Sequence, residues 1–389
     1  MRKNCICRWK EFNKNALPSS KALIDSSSFP LRILFQTGDY ILKFDSVSSH
    51  GGLHPDYEEE IRYFKENKVF SIQIESNLLC PQGCLYCYAG LENPPVEELS
   101  KKDISSILSS AVKMNVRAID WLGGDPLMRK DWFFLMKDTV KLGLKNNIWT
   151  SGIPLENKEI ARKAVEVTKR GFIAVHLDSL DERIYKTLHK GNPRLQIQSI
   201  LNGVKNVQTF GKDPEEMINC ITFTKPVFED VENTIRYFYE EFGMRTCLTQ
   251  MCLAGLATDH TEWVPSIEDI RKACDIRDKI NYPKSTHSFS SMDTNKYYCG
   301  NMICVTVDGD VTPCSVIRKS VGNIHNTPLN EIVEKHRDEL LWIHLRTPEN
   351  LPGFCSRCEN NEVCWGCRAA AFYAQGDAKG IDQKCYRNK

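Results

Sequence analysis

The sequence predicts an α/β chain: a partial (β/α)6 TIM-like barrel followed by a small cysteine-rich domain. Apolar residues between about Val69 and Tyr282 show strand spacing six times, alternating with helical spacing. Ten of the seventeen cysteines gather in two groups, one near the start of this stretch and one after it. Strand-then-helix units in succession imply parallel strands joined by right-handed crossovers. With 389 residues and 41% apolar content, the chain can bury a core of that size and still carry an appendage.

The first strand is marked by Phe70, Ile72 and Ile74, which alternate with polar neighbours, and residues 104–112 then carry apolar side chains at helical spacing. Further strands are expected at 116–122, 147–150, 172–177, 218–223 and 246–251. The helices between them are expected at 132–142, 158–168, 196–208 and 231–242. Past Tyr282 a polar stretch, 285–298, reads as a linker. Beyond it, a hairpin is expected from 303–307 and 310–312 around the Asp308-Gly309 turn, then a helix at 329–341. Before the barrel, a strand pair near 31–42 and a helix near 57–66 are expected, with no assignable motif. The expected division is therefore 1–66, 67–284 and 285–389.

Charge and composition narrow the function. Fifty-one basic and fifty acidic residues leave a net charge of +1, which gives no general attraction to nucleic acid or anionic lipid. No stretch approaches the roughly 18 apolar residues of a membrane span, and Met1-Arg2-Lys3-Asn4-Cys5 leads into charged residues rather than a signal-peptide core. A cytoplasmic protein with no membrane or nucleic-acid partner is expected. In that reducing compartment, seventeen cysteines point to metal or redox chemistry rather than disulfides.

The first cysteine group, Cys80-Pro81-Gln82-Gly83-Cys84-Leu85-Tyr86-Cys87, follows the first barrel strand, where a loop faces the mouth of such a barrel. Three thiolates at spacings of four and three can wrap one face of a [4Fe-4S] cubane and leave one iron open. Zinc is the alternative, although its structural sites are normally closed by four ligands. One βα unit later, Gly123-Gly124-Asp125-Pro126 closes the second strand. Paired glycines there allow close backbone approach, and a carboxylate beside them can receive an ammonium.

On these residues the chain resembles the radical SAM superfamily. The resemblance implies that Cys80, Cys84 and Cys87 hold a catalytic [4Fe-4S] cluster whose open iron chelates S-adenosylmethionine, which is cleaved to a 5′-deoxyadenosyl radical. It implies cofactor contacts from Tyr86, Gly123, Gly124, Asp125 and Pro126, with Asp125 standing where relatives carry Glu. By the same likeness Ser151, in Thr150-Ser151-Gly152, would meet the methionyl carboxylate or ribose. His176, in His176-Leu177-Asp178-Ser179, would be a cofactor or substrate contact or an ordinary polar residue at the mouth. Ala254-Gly255-Leu256-Ala257 is similar to a glycine-containing segment after the sixth strand.

The second group, Cys299, Cys314, Cys355, Cys358, Cys364, Cys367 and Cys385, resembles the SPASM extension of that superfamily, which carries auxiliary [4Fe-4S] clusters. The family pairing implies Cys299, Cys314 and Cys367 for the nearer cluster, and Cys355, Cys358, Cys364 and Cys385 for the farther one. Two cubanes need eight thiolates and seven are matched. Asp293 or Cys304 is the expected substitute, or an iron stays open. Cys5, Cys7, Cys220, Cys247, Cys252 and Cys274 match nothing and read as buried small side chains. A zinc knuckle explains Cys355 to Cys367 but leaves Cys299, Cys314 and Cys385 unused.

The resemblance implies a radical SAM oxidoreductase served by a low-potential donor of flavodoxin or ferredoxin type. Its substrate would be a peptide, as in peptide maturases, or a small molecule such as a tetrapyrrole or quinone precursor. Sulfatase maturases carry Asp after the cysteine aligned with Cys314, where this chain has Ser315. A non-catalytic electron-transfer protein and a zinc interaction module are the readings from other classes.

Overall fold

The computed structural model describes residues 23–25, 32–37, 40–44, 57–90, 98–281 and 295–387. Six parallel strands form the barrel wall in chain order: β4 (Ser71–Glu75), β5 (Ala118–Leu122), β6 (Lys145–Thr150), β7 (Ile173–His176), β8 (Met217–Phe223) and β9 (Arg245–Gln250). Each expected strand and connecting helix is present within a few residues. Two α-helices of the barrel region were not anticipated, nor were Lys296–Cys299, at the end of the expected linker, and Arg368–Gln375. Glu182–Leu188 is only seven residues long, and Ile267–Asn281 carries so many charges that its buried stripe, including Ile270, Ala273 and Cys274, is thin. The expected helix at 329–341 is broken at His336 into Leu329–Lys335 and Arg337–Leu340.

The apolar residues of alternate positions, among them Ile72, Ile74, Ile119, Trp121 and Ile148, pack against the helices outside the sheet. Between them on β4 to β6 lie polar residues, whereas Trp149, Ala174, Ile218 and Cys220 at the alternate positions of β6 to β8 form a separate apolar cluster. Gln73, Asp120 and Asn147 are register partners on adjacent strands. They are joined by Asn147 Nδ2 donating to Asp120 Oδ1 at 2.6 Å and by the Tyr298 hydroxyl, 3.4 Å from both Asp120 Oδ2 and Gln73 Nε2. Buried polar groups persist only when paired this way.

The cysteine-rich part is not hydrogen-bonded as a separate body. Its first strand, β10 (Met302–Val305), pairs in parallel with β4, and β11 (Asp310–Thr312) and β12 (Gly322–Asn323) extend the same nine-stranded sheet. The hairpin was expected; its parallel addition to the barrel was not. Ahead of the barrel, β2 (Arg32–Thr37) and β3 (Tyr40–Phe44) are the expected strand pair and α1 (Tyr57–Lys65) the expected helix, and β1 (Leu23–Asp25) adds a third antiparallel strand that was not expected. Among the described residues no helix is long and apolar enough to cross a membrane.

Candidate active site

The cysteine loop leaves β4 at its carboxyl end and is pinned to the segment after Glu182–Leu188. Leu85 N donates to Leu188 O and Lys190 N to Gly83 O, both at 2.9 Å. Gly83 makes that turn with φ +66°, and a Cβ there would press on the Lys190 side chain. The three thiols gather in one place: Cys80 and Cys87 both bear electrostatically on Cys84. Burial pushes the Cys84 thiol well up, and these two neighbours push it further. Burial also raises Cys87. Cys80, the most open of the three, is raised to about 12 by the walls of the loop and then by Asp125. Three soft sulfurs held protonated side by side lose their protons to a bound metal centre, so this donor set fits a cluster held by three cysteines.

The diglycine turn serves the same loop. Gly123, at φ +131°, and Gly124 lie so close to its stem that a Cβ would collide with the carbonyl oxygens of Asn77 and Leu79, respectively. Gly124 N donates to Asn77 O and Asp125 N to Leu79 O, both at 2.6 Å. The close approach that the paired glycines allow is therefore to the cysteine loop's own backbone. Asp125 is fully buried. Its Oδ2 accepts from Thr150 Oγ1 (2.7 Å), Ser151 N (2.9 Å) and Ser151 Oγ (2.6 Å), and its Oδ1 from Leu127 N (3.0 Å). Two expected cofactor contacts, Asp125 and Ser151, thus face each other, and Pro126 is buried as the first residue of the short helix that Asp125 caps. Four donors meet the carboxylate, which thereby fastens the end of β6 to the end of β5.

His176 stands at the end of β7 in a network sequence reasoning glimpsed only in part. Tyr86 Oη donates to Asp178 and lies 2.8 Å from His176 Nε2. His189 Nε2 is 2.9 Å from Asp178 Oδ2, and Thr222 N donates to Asp178 Oδ1 at 2.8 Å. Burial opposes ionisation of Asp178, yet His176 and His189 hold its carboxyl far below the usual range. Tyr185 stacks on His189 with ring centroids 4.1 Å apart. Cys84, His176 and His189 lie with their ligand atoms within 4.8 Å of one another, a trio that by donor type also suits zinc. Both Nε2 atoms already face Asp178, however, which leaves His189 Nδ1 as the buried ring nitrogen without a partner. His189 follows no motif, and only its place in the fold brings it here.

Of the late cysteines, Cys299, Cys314, Cys355 and Cys367 share one apolar cluster. Cys367 caps the helix Arg368–Gln375, its Sγ accepting from Ala370 N at 3.3 Å. It packs in one apolar cluster with Cys299, Cys314 and, unexpectedly, Cys252. Cys355, Cys358 and Cys385 bear on one another electrostatically. Cys364 Sγ accepts from Gly366 N at 3.3 Å, in a turn that needs the left-handed backbone of Gly366 (φ +71°). Cys304 is fully buried in β10, and Asp293 lies outside the described residues.

The radical SAM superfamily model matches residues 74–238, and that of the iron-sulfur cluster-binding SPASM domain matches residues 298–368. The chain belongs to the radical SAM superfamily. Its cofactors are accordingly [4Fe-4S] clusters and S-adenosylmethionine. Among curated relatives of this radical SAM protein, the AdoMet-dependent heme synthase of Methanosarcina barkeri is 37% identical over 102 residues, 26% of this chain and 28% of the relative. The probable GTP 3′,8-cyclase of Methanosarcina mazei is 23% identical over 287 residues, 69% of this chain and 84% of the relative. The matches to the heme synthases thus span less than a third of those relatives' length. SuiB of Streptococcus suis shares the fold with TM-score 0.57 and 16% identity, over 94% of this chain and 99% of that one. Native anSMEcpe with bound AdoMet does so with TM-score 0.60 and 17% identity, over 79% and 92%.

Proposed function

We propose that this chain is an oxidoreductase that abstracts hydrogen from a bound substrate and removes the resulting electron through its auxiliary clusters, with a peptide as substrate. The observation that carries it is the gathering of Cys80, Cys84 and Cys87 at the carboxyl ends of parallel strands, against the diglycine turn. When bound there, the cluster and S-adenosylmethionine supply reductive cleavage of the sulfonium to a 5′-deoxyadenosyl radical. The chain's own part is positioning. The 188–190 segment and the diglycine turn fix the loop from two sides, and the barrel wall keeps water from a radical that attacks almost any nearby C–H. Cys299, Cys314 and Cys367 would hold the nearer auxiliary cluster, and Cys355, Cys358, Cys364 and Cys385 the farther one. A flavodoxin- or ferredoxin-type protein would deliver the starting electron.

Support for a peptide comes from the amino-terminal sheet, whose order leaves β1 and β3 at its edges among the described residues, a geometry suited to an added extended strand. The heme synthase relatives favour a tetrapyrrole precursor as the second reading. Anaerobic assay of reductively triggered 5′-deoxyadenosine tests the chemistry: Cys84→Ala should abolish it, and persistence refutes the assignment. Transfer of deuterium into 5′-deoxyadenosine from a labelled peptide, and not from a labelled tetrapyrrole precursor, decides between the substrates.

A further inference from the structure

The seven matched cysteines leave the nearer auxiliary cluster one ligand short, and the fold supplies an eighth thiol from an unexpected place. Cys252 lies just past β9, the last strand of the barrel, and far in sequence from the SPASM cysteines. It is buried in the apolar cluster that also contains Cys299, Cys314, Cys367 and, from the farther set, Cys355, walled by Phe64 and Trp365. The thiols of Cys252 and Cys367 are hydrogen-bonded to each other, and Cys314 is within electrostatic reach of both. We infer that Cys252 is the fourth ligand of the nearer auxiliary [4Fe-4S] cluster, completing a set with Cys299, Cys314 and Cys367. The inference rests on the proposed cluster assignment and goes beyond it. With four thiolates no iron is left open, so substrate is not held by that cluster, and its role narrows to carrying electrons.

Cys304, the alternative, fits less well. It sits mid-strand in β10, paired on one side with Gln73 of β4 and on the other with Thr312 of β11. Its thiol bonds to Thr312, and its electrostatic neighbours are Glu75, Arg318 and then Cys314, whereas Cys252 is bonded to Cys367 itself.

The position of Cys252 has a second consequence. Four residues on, Leu256 N donates to Cys87 O at 3.0 Å, and Gly255, at φ +56°, packs against the carbonyl oxygens of Cys87 and Tyr88. On the other side, Lys384 donates to Met251 O. The strap 251–256 therefore touches the catalytic cysteine loop with one end and, with Cys252 as ligand, grips the auxiliary cluster with the other.

The test uses the full chain with Cys80, Cys84 and Cys87 all replaced by Ala, so that only auxiliary clusters remain after anaerobic reconstitution. That protein should hold about eight irons. Adding C252A should lower the count to about four, or convert one cluster to a [3Fe-4S] form visible by electron paramagnetic resonance. Adding C304A should change neither iron nor spectrum. Full iron with an unaltered reduced-state spectrum in C252A overturns the inference, as does a cluster lost in C304A instead. Because C252A also removes a packing contact, C252D is the second variant. An oxygen ligand keeps four irons and shifts that cluster's midpoint potential, and an unmoved potential again overturns the inference. If the triple-Ala parent itself binds no iron, the auxiliary-cluster reading beneath the inference fails, a result distinct from all of these.

Discussion

Arg318 donates through Nη1 and Nη2 to the two carboxylate oxygens of Glu75, at 2.7 and 2.8 Å. A side chain of the cysteine-rich part thereby neutralises a fully buried carboxylate at the end of the first barrel strand. Burial raises the Glu75 carboxyl, and Arg318 works against that. Tyr88, next to Cys87, lies with its ring 5.6 Å from the same guanidinium.

Removing Arg318 strands that carboxylate. Breaking a buried pair from one side costs about 3–5 kcal/mol, and because a third of the Arg318 side chain is exposed we expect about 2–3 kcal/mol for R318A. The double variant R318A/E75Q should recover most of it. Urea midpoints of the parent, R318A and the double variant check this; a double variant as weak as R318A alone contradicts it.

Gly124 admits no side chain. The Cβ of G124A would meet the Leu79 carbonyl just before Cys80, so the loop stem must move. Reconstituted G124A should retain its auxiliary clusters and bind about four fewer irons than the parent. G143A, where an added Cβ meets nothing within 4 Å, should keep its full iron. Equal iron in both proteins rejects the account.

Asp125→Asn preserves shape but replaces one of the two accepting oxygens by an NH2 group, so that at least one of the four donors faces a donor. A loss of about 3 kcal/mol is expected, with S151A losing less because Thr150 and the Ser151 amide remain to bind. If S151A is the more damaging of the two, the carboxylate is not the hub described.

Asp120 makes stability pH-dependent. Burial pushes its carboxyl up to about 6, against the hydrogen bonds of Asn147, Ser71, Trp149 and Tyr298. The unfolded value is about 3.9, so between the two the native state holds the extra proton. Stability therefore falls as pH rises from about 4 to about 6, by about 2–3 kcal/mol from this group. In D120N that part of the slope should vanish. Parallel pH profiles for the two proteins would show that Asp120 is not its source.

Most of the barrel was legible because its code is local: Ile72 and Ile74 alternate on one strand, and Ile104, Ile107 and Leu108 line one helix face. The cysteine spacings carried the site for the same reason. What escaped were relations between distant segments. Nothing in residues 302–305 announces pairing with Ser71–Glu75, since edge choice is set by the assembled sheet. His189 and Cys252 lack any motif, and each becomes meaningful only beside Cys84 or Cys367. Asp125 was read from its chemistry as a group that receives an ammonium; that Thr150 and Ser151, visible in sequence as neighbours of Gly152, also bond to it was not read.

The strand β10 occupies the flank of β4 that an isolated barrel would present to solvent. Cutting the chain between the two halves would therefore bare a row of unpaired amides beside the catalytic loop, an invitation to self-association. The two metal-bearing halves are unsuited to excision or exchange as modules, and a truncated barrel prepared for study should precipitate rather than report on half of the chemistry.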